Sequence, residues 1–226
     1  MNYKEIFDQL DYLGNIDLQL KCIDEFSLEE INKILSFTQI KRIKYIELYL
    51  PIIENIKEES LIHFLRSNLR VSKIVFYKCI NLNDYRQLIC SDLSLINFTE
   101  KDLAIYDGCG QICAKYFTLS QDFFLESKNF NNCLNGKLAI AWNGDLKNCL
   151  HLPKVYGNVS IDKIEKIILQ KDFQEIWRIH KDLIIECKDC EFRYMCSDCR
   201  AYIIDKSNIY SKPRYCNYNP YKIEYK

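Results

Sequence analysis

The chain is poor in the residues that break regular structure. Its 226 residues include six glycines and four prolines. Hydrophobic residues make up 48% of the chain and charged residues 27%, both values typical of globular proteins, so the chain can bury a core. The distribution of glycine and proline is uneven, because Gly14 and Pro51 are the only ones before residue 107, where the cysteine-rich part begins. We therefore predict an α/β domain over residues 1–107 and a second, cysteine-rich domain over residues 108–226.

The sequence also lacks an excess of charge of one sign. Its 31 Lys and Arg residues balance 31 Asp and Glu residues, and the formal net charge at pH 7 is zero. Nucleic acids and anionic membrane surfaces usually bind proteins through a positive field. We therefore expect neither nucleic acid nor a membrane as a partner.

Long apolar runs are missing as well. No stretch of about 18 apolar residues occurs, so no transmembrane helix is predicted. The N-terminal sequence MNYKEIFDQLDYLGN carries Asp8 and Asp11 where a signal peptide needs an apolar core. We therefore expect a cytoplasmic protein. In a reducing cytosol its 12 cysteines are not expected to form disulfides.

The first part of the chain alternates strand-like and helix-like segments. The sequence predicts strands over residues 16–23, 42–52 and 72–79, and helices over residues 27–37, 57–69 and 83–90. Ser27 and Glu30 have the spacing of a capping box at the start of the first of these helices. This order suits parallel strands joined by helical crossovers. Three such units are too few for an eight-stranded barrel, so we predict a partial (β/α) barrel.

The second part carries a hairpin and a helix. Asn143-Gly144 divides residues 137–149 into two short strands, which is a strong hairpin signal. Apolar residues at helical spacing then predict one amphipathic helix from Ile161 to Ile179. The chain has no P-loop and no Gly-x-Ser-x-Gly motif, so neither a nucleotide site nor a serine hydrolase site is predicted.

Nine of the twelve cysteines lie in the second part. Four of them form the pattern C-x2-C-x5-C-x2-C and are Cys187, Cys190, Cys196 and Cys199. The tight turn of a C-x2-C pair aims two sulfurs at one point, which favours a metal ion or an iron–sulfur cluster. One tetrahedral zinc ion would use all four of these thiolates. Zinc would leave Cys133, Cys149 and Cys216 without a role, so the number of cysteines favours two sites with four thiolates each.

In order and spacing, these cysteines resemble those of the SPASM domain. The matching residues, together with Gly144, are Cys133, Cys149, Cys187, Cys190, Cys196, Cys199 and Cys216. The SPASM domain is a module with two [4Fe-4S] clusters that is usually found at the C-terminus of radical S-adenosylmethionine (SAM) peptide-modifying enzymes. One spacing differs: the family usually has three residues between its last two clustered cysteines, and this chain has two between Cys196 and Cys199.

The resemblance implies a set of ligands for each of two [4Fe-4S] clusters. One set would be Cys109, Cys133, Cys149 and Cys199, with Cys113 as the alternative to Cys109. The other set would be Cys187, Cys190, Cys196 and Cys216. Gly108 and Gly110 flank Cys109, and their flexible backbone suits a close approach to a cluster. Because Cys196 and Cys199 would then serve different clusters, we expect the two sites to fold as one unit, with metal binding driving the folding.

The motif that binds SAM is missing. A radical SAM enzyme needs C-x3-C-x2-C, whose three thiolates leave one iron open for SAM. Here Tyr116 stands where Cys109 and Cys113 would require the third cysteine. We therefore expect no SAM cofactor, and we name no catalytic residue. Whether the chain is an enzyme stays open.

Several longer segments resemble the peptide maturase of grasp-with-spasm systems. They are NNCLNGKLAIAWNGDLKNC, GNVS, FQEIWRIHKDLIIECKDCEFRYMCSDCRAY and YSKPRYCNYNPY. In such systems a SPASM protein accompanies an ATP-grasp ligase and a short precursor peptide. The resemblance implies a role in the maturation of a ribosomally synthesised peptide, with the precursor peptide and the ligase as partners. Two alternatives stay open: a redox enzyme that uses its clusters for electron transfer or substrate ligation, and a zinc-stabilised interaction module.

The remaining candidate residues are expected to be structural. The three cysteines of the first part are Cys22, Cys79 and Cys90. We predict that they are buried and pack as small hydrophobic residues. His63 is expected at the surface, and His151 in an ordinary loop two residues after Cys149. Arg193 and Arg200 stand beside the clustered cysteines, where surface ion pairs are expected.

Overall fold

The chain folds into two compact units, Asn2–Gly108 and Cys109–Lys226. The structure is a computed structural model that describes residues 2–39, 41–53, 56–82, 95–103 and 109–222. Within these ranges, no helix is long and apolar enough to cross a membrane. The helix predicted over residues 83–90 and the predicted burial of Cys90 lie outside the described residues.

The first unit is built on a parallel sheet. Its elements are α1 (Tyr3–Leu13), β1 (Ile16–Lys21), α2 (Leu28–Ser36), β2 (Ile43–Pro51), α3 (Glu58–Ser67), β3 (Val71–Tyr77) and β4 (Ile96–Phe98). The strands follow one another in the order β1-β2-β3-β4, and each neighbouring pair is parallel. The strands predicted over residues 16–23, 42–52 and 72–79 and the helices predicted over 27–37 and 57–69 are confirmed. The partial barrel stays a prediction.

Local sequence signals explain these elements. The predicted capping box is present: Glu30 N donates to Ser27 Oγ at 3.2 Å, and Ser27 N donates to the Glu30 carboxylate at 2.8 Å. The apolar stripe of α2 is buried, and Leu35 is fully covered. Leu48 of β2 and Ile74 of β3 are also fully buried. The two central strands thus contribute side chains to the core of the first unit.

The second unit has an antiparallel sheet and short helices. Its elements are α4 (Gln121–Asn129), β5 (Ala139–Ile140), β6 (Asp145–Lys147), β7 (Gly157–Asn158), α5 (Ile164–Ile168) and α6 (Lys171–Gln174). Short 3-10 helices span Ala114–Tyr116, Glu175–Arg178, Lys181–Leu183 and Cys187–Asp189. The predicted hairpin is confirmed, because β5 pairs with β6 and Gly144 makes the turn with a φ of 90°.

The single helix predicted from Ile161 to Ile179 is wrong. The chain breaks it at Gln170, which is extended with φ −66° and ψ 133°. Nε2 of Gln174 donates to the carbonyl of Ile168 at 2.9 Å and so satisfies a group that the break would expose. The break lets Phe173 turn fully into the core of the unit. Tertiary packing has overridden helical periodicity here.

Helix α4 was not predicted. It begins at Gln121 because Ser120 Oγ accepts a hydrogen bond from the N–H of Phe123 at 3.2 Å. Its apolar residues Phe123, Phe124 and Leu125 are consecutive instead of spaced along one face, so the helical period is hidden.

Candidate metal centre

The predicted ligands differ in exposure. All eleven cysteines that the structure describes are free thiols. Three of the predicted ligands are buried: Cys187, Cys196 and Cys199. The other five have intermediate exposure: Cys109, Cys133, Cys149, Cys190 and Cys216. Cys113 is exposed. In the first unit Cys22 and Cys79 are buried as predicted.

Three thiols from distant parts of the chain form site 1, which consists of Cys133, Cys149 and Cys199. Burial, together with the nearby thiolates of Cys199 and Cys149, raises the pKa of Cys133 to about 11. Burial also raises the pKa of Cys199, and Cys149 is a further cause. The three thiols are therefore close enough to influence one another.

Four other thiols form site 2, which consists of Cys187, Cys190, Cys196 and Cys216. Burial is the main cause that raises the pKa of Cys187 to about 11, and the thiolate of Cys216 contributes. Burial and Cys216 also raise the pKa values of Cys190 and Cys196. Cys216 thus links the clustered cysteines to the end of the chain.

The mutual effects on pKa are compatible with the two ligand sets that the resemblance implies. Cys196 belongs to site 2 and Cys199 to site 1, although they are three positions apart in the sequence. Within the described ranges, no three side chains of Cys, His, Asp or Glu are already placed to hold one metal ion. The role of these thiols as ligands stays a prediction.

Gly110 brings the segment of Cys109 close to site 1. It has a φ of 78°, and a Cβ at this position would lie 2.8 Å from Cδ2 of Tyr202. Only glycine combines this conformation with such a close approach. Tyr202 follows Cys199 by three positions, so Cys109 is adjacent to a residue that packs beside a site 1 loop.

Tyr202 also contacts the loop that carries Cys149. Its hydroxyl is 3.1 Å from Nδ1 of His151, and the two ring centroids are 5.4 Å apart. His151 lies in a loop, as predicted, and packs against Tyr202. These contacts favour Cys109 over the exposed Cys113 as the fourth member of site 1.

Backbone N–H groups point toward two of the sulfurs. Burial raises the pKa of Cys190, while the N–H of Phe192 lowers it. Burial likewise raises the pKa of Cys199, while the N–H groups of Tyr202 and Ala201 lower it. Donors of this kind stabilise a thiolate or a cluster-bound sulfur.

A buried carboxylate lies between the two sites. Asp198, between Cys196 and Cys199 in the sequence, is 2% exposed. Its Oδ1 accepts a hydrogen bond from Nη2 of Arg200 at 2.6 Å, and its Oδ2 accepts one from Nδ2 of Asn131 at 2.7 Å. These bonds fix the chain where it passes from site 2 to site 1.

Asn131 connects this carboxylate to the segment of Cys133. Its Oδ1 accepts hydrogen bonds from the backbone N–H groups of Cys133 at 3.1 Å and Leu134 at 3.0 Å. Its Nδ2 also donates to the carbonyl of Ile179 at 2.9 Å. Fully buried Asn131 therefore uses both ends of its amide to join three segments.

Two buried cations accompany Asp198. Lys181 is 3% exposed, and its Nζ lies 3.5 Å from Asp198 Oδ1 and 3.7 Å from the sulfur of Cys196. Burial lowers the pKa of Lys181, but Asp198, Cys196 and Cys187 together raise it above the ordinary value. The charge on Asp198, together with the charges that the site 2 sulfurs carry when they are ionised or metal-bound, thus stabilises the ammonium form.

Arg200 contradicts the expectation of a surface ion pair. It is 2% exposed, and Nη1 donates to the carbonyls of Ile209 and Ser211 at 2.8 Å each. Its buried Nε has no hydrogen-bond partner among the described atoms. Arg193, in contrast, is partly exposed and pairs with Asp182 at 2.8 Å.

The donor set fits an iron–sulfur group. Lys181 and Arg200 bring two positive charges into the interior, and Asp198 brings one negative charge. A buried charge is costly unless it is paired, and thiolates beside Lys181 would supply the missing negative charge. Unbound thiols with raised pKa values are mostly protonated at neutral pH, so metal binding would release their protons and create that charge.

The comparison with protein families agrees with this chemistry. The model of the SPASM family, an iron–sulfur cluster-binding domain, matches residues 132–191, about a quarter of the chain. The matched segment contains Cys133, Cys149, Cys187 and Cys190. No curated protein and no solved structure matches the chain. The match thus indicates an iron–sulfur cluster-binding domain at residues 132–191, within the second unit.

Proposed function

We propose that the second unit binds two [4Fe-4S] clusters, one at each site. The ligands at site 1 are Cys133, Cys149 and Cys199 with Cys109 as the fourth, and those at site 2 are Cys187, Cys190, Cys196 and Cys216. The observation that carries the proposal is the division of seven thiols into two interleaved groups. The SPASM match supports iron–sulfur binding, and the contact between Gly110 and Tyr202 supports Cys109.

A cluster at each site supplies one-electron chemistry and cross-links between distant chain segments. The residues of the chain position the ligands. Asp198 and Asn131 hold the crossing between the sites, and backbone N–H groups face Cys190 and Cys199. Without the clusters, the site 1 and site 2 loops would depend on these hydrogen bonds and on side-chain packing such as that of Tyr202 against His151.

The biological role that we propose is maturation of a ribosomally synthesised peptide together with an ATP-grasp ligase. The support is the resemblance of the four quoted segments to the maturase of grasp-with-spasm systems. The described sheet also offers a surface for an extended peptide, because β1 (Ile16–Lys21) pairs with β2 on one side only. Main-chain hydrogen bonds along such an edge bind peptides in many proteins.

Iron and sulfide analysis tests the cluster proposal. Full-length protein is purified and reconstituted without oxygen, and its visible spectrum is recorded. Two [4Fe-4S] clusters require about eight iron and eight sulfide per chain. Zinc without sulfide contradicts the proposal and favours the zinc-stabilised interaction module. A cluster with only three protein ligands, detected by ligand-by-ligand Cys→Ala changes, favours the redox enzyme.

A binding experiment tests the peptide role separately. Reconstituted protein is titrated with the precursor peptide and with the ATP-grasp ligase encoded beside it, and binding is followed by calorimetry. Binding of at least one supports the role. Failure to bind either overturns the role but leaves the clusters in place, because their presence is measured independently.

A further inference from the structure

We infer that Lys181 gives the two clusters different affinities for an electron, by placing a positive charge against site 2 and not against site 1. This inference rests on the proposed function, because it requires a cluster at each site. Nζ of Lys181 lies 3.7 Å from the sulfur of Cys196, within reach of an N–H···S contact. The lysine is almost completely buried, so water screens this charge little.

Asp198 does not neutralise Lys181 fully. The same oxygen, Oδ1, is 2.6 Å from Nη2 of Arg200 and 3.5 Å from Nζ of Lys181. Asp198 therefore forms its shorter ion pair with Arg200, and it neutralises the charge of Lys181 only in part. Among the described groups that act on Lys181, the other negative ones are the thiolates of Cys196 and Cys187, both of site 2.

Site 1 has a weaker positive neighbour. The cation that lowers the pKa of Cys133 is Lys137, whose side chain is exposed. Water and salt reduce the effect of an exposed charge. Asp198 raises the pKa of thiols at both sites, of Cys133 as well as of Cys187. Its charge therefore does not account for a difference in electron affinity between the two clusters. The difference between the sites thus lies with the buried cations.

A buried cation favours the reduced form of a nearby cluster. Each [4Fe-4S] cluster takes up one electron, here from dithionite, with no bond broken and no proton moved. The added negative charge is stabilised by Lys181 across a short distance in a medium of low dielectric. Net charge and hydrogen bonds to sulfur are two of the factors that set cluster potentials. Site 2 is therefore reduced before site 1.

Potentiometric titration followed by electron paramagnetic resonance tests the inference. The variants are Lys181→Met, Lys181→Gln and Lys181→Arg in the full chain, and iron and sulfide are counted first. Methionine removes charge and donor, glutamine keeps a donor without charge, and arginine keeps the charge. We expect two reduction steps in the parent protein. Cys149→Ala, which removes a site 1 ligand, should abolish the later one.

In Lys181→Met and Lys181→Gln the earlier step should move to lower potential. At a fixed potential the ratio of reduced to oxidised site 2 should fall at least tenfold, which is about 59 mV for one electron. The later step should stay in place, and Lys181→Arg should keep both steps. Lys166→Met, which changes an exposed lysine of α5, is the matched control and should alter neither step.

Unchanged steps in Lys181→Met and Lys181→Gln, at full iron content, overturn the inference. If Lys181→Met loses iron, the comparison of Lys181→Gln with Lys181→Arg decides. Loss of iron in all three variants also overturns it, because Lys181 would then be a structural residue only. A parent protein without eight iron contradicts the proposed function instead, so the two failures are distinguishable.

Discussion

Arg200 donates a hydrogen bond from Nη2 to Oδ1 of Asp198 at 2.6 Å, and both side chains are about 2% exposed. This ion pair stands next to Cys199 and two residues from Cys196, at the point where the chain leaves one group of thiols and enters the other. We expect the geometry at this crossing to decide which sulfur faces which proposed cluster. A buried ion pair suits that task because its bonds are directional, whereas apolar packing is not.

Removing the carboxylate should destabilise the second unit strongly. Asp198→Ala leaves Arg200 as an uncompensated buried cation and removes one of the negative partners of Lys181, and breaking a buried pair in this way typically costs about 3–5 kcal/mol. Urea denaturation of reconstituted protein, followed by tryptophan fluorescence, measures the loss. The signal is specific because both tryptophans, Trp142 and Trp177, lie in the second unit.

Asp122→Ala is the matched control for Asp198→Ala. Asp122 is exposed in the first turn of α4, and its loss should cost at most about 1 kcal/mol. Equal urea midpoints for the two variants would show that the ion pair of Asp198 has no net structural role.

Two glycines of the second unit should respond to alanine for different reasons. Gly157 has an ordinary backbone, but an added Cβ would lie 2.6 Å from Oδ2 of Asp162 and 2.9 Å from Cδ1 of Ile167. Gly136 has a φ of 65° and no atom within 4 Å of an added Cβ. Overpacking at Gly157 should cost about 1–3 kcal/mol. At position 136 the left-handed backbone conformation should lower the free energy of unfolding of the alanine variant by about 1 kcal/mol.

Urea midpoints of Gly157→Ala and Gly136→Ala test this order. A larger loss is expected for Gly157→Ala, since the carboxylate of Asp162 also holds the N–H of Asn158 at 2.9 Å and cannot move freely. The opposite order would mean that backbone strain outweighs the steric contact.

The elements from β1 to β3 were predictable because their signals are local, whereas α1 and β4 were not predicted. Ser27 and Glu30 form the capping box that predicts the start of α2. The apolar residues Ile31, Ile34 and Leu35 repeat with the helical period, and the folded chain buries their side chains. Helices α2 and α3 connect β1 to β2 and β2 to β3, and each connection is long enough for a parallel crossover. None of these inferences requires knowledge of residues far away in the sequence.

The charged interior of the second unit was not predictable in this way. Lys181 and Asp198 look like ordinary surface residues, and their burial depends on a contact between segments that are 17 positions apart. The partner of Asp198 on the other side, Asn131, is 67 positions away. Cysteine spacing identified the candidate ligands, but it carries no information on the charges packed between them.

The capping box of α2 should make its stability depend on acid. The N–H of Ser27, and next its hydroxyl, hold the pKa of Glu30 below the ordinary value of 4.5. A lowered pKa in the folded state means that the contribution is complete above the unfolded pKa and is lost as the pH falls through the folded one. The helix should therefore open more often at acid pH.

Hydrogen exchange of a peptide covering residues 27–37, corrected for intrinsic rates, measures this opening. We expect protection to fall between about pH 5 and pH 3 in the parent protein, and to change less in Glu30→Gln. Glu29→Gln alters a neighbouring carboxylate outside the capping box and should keep the parent profile. Identical profiles for the parent protein and Glu30→Gln would contradict the proposed source of acid sensitivity.

The fourth ligand of site 1 can be decided by iron content. Cys109→Ala should lose about four of eight iron atoms per chain, and Cys113→Ala should lose none. The reason is geometric: Gly110, the residue after Cys109, lies against Tyr202, which follows Cys199 by three positions, whereas Cys113 is exposed. Iron and sulfide are counted after reconstitution of each variant without oxygen.

A substitution that leaves every cysteine in place tests the position of the Cys109 segment separately from its thiol. Gly110→Ala would put a Cβ 2.8 Å from the Tyr202 ring in a left-handed conformation, so the segment of Cys109 must move. We expect partial loss of iron from site 1 and a full cluster at site 2. If Cys113→Ala loses iron while Cys109→Ala and Gly110→Ala keep it, Cys113 is the ligand. The contact between Gly110 and Tyr202 then serves packing alone.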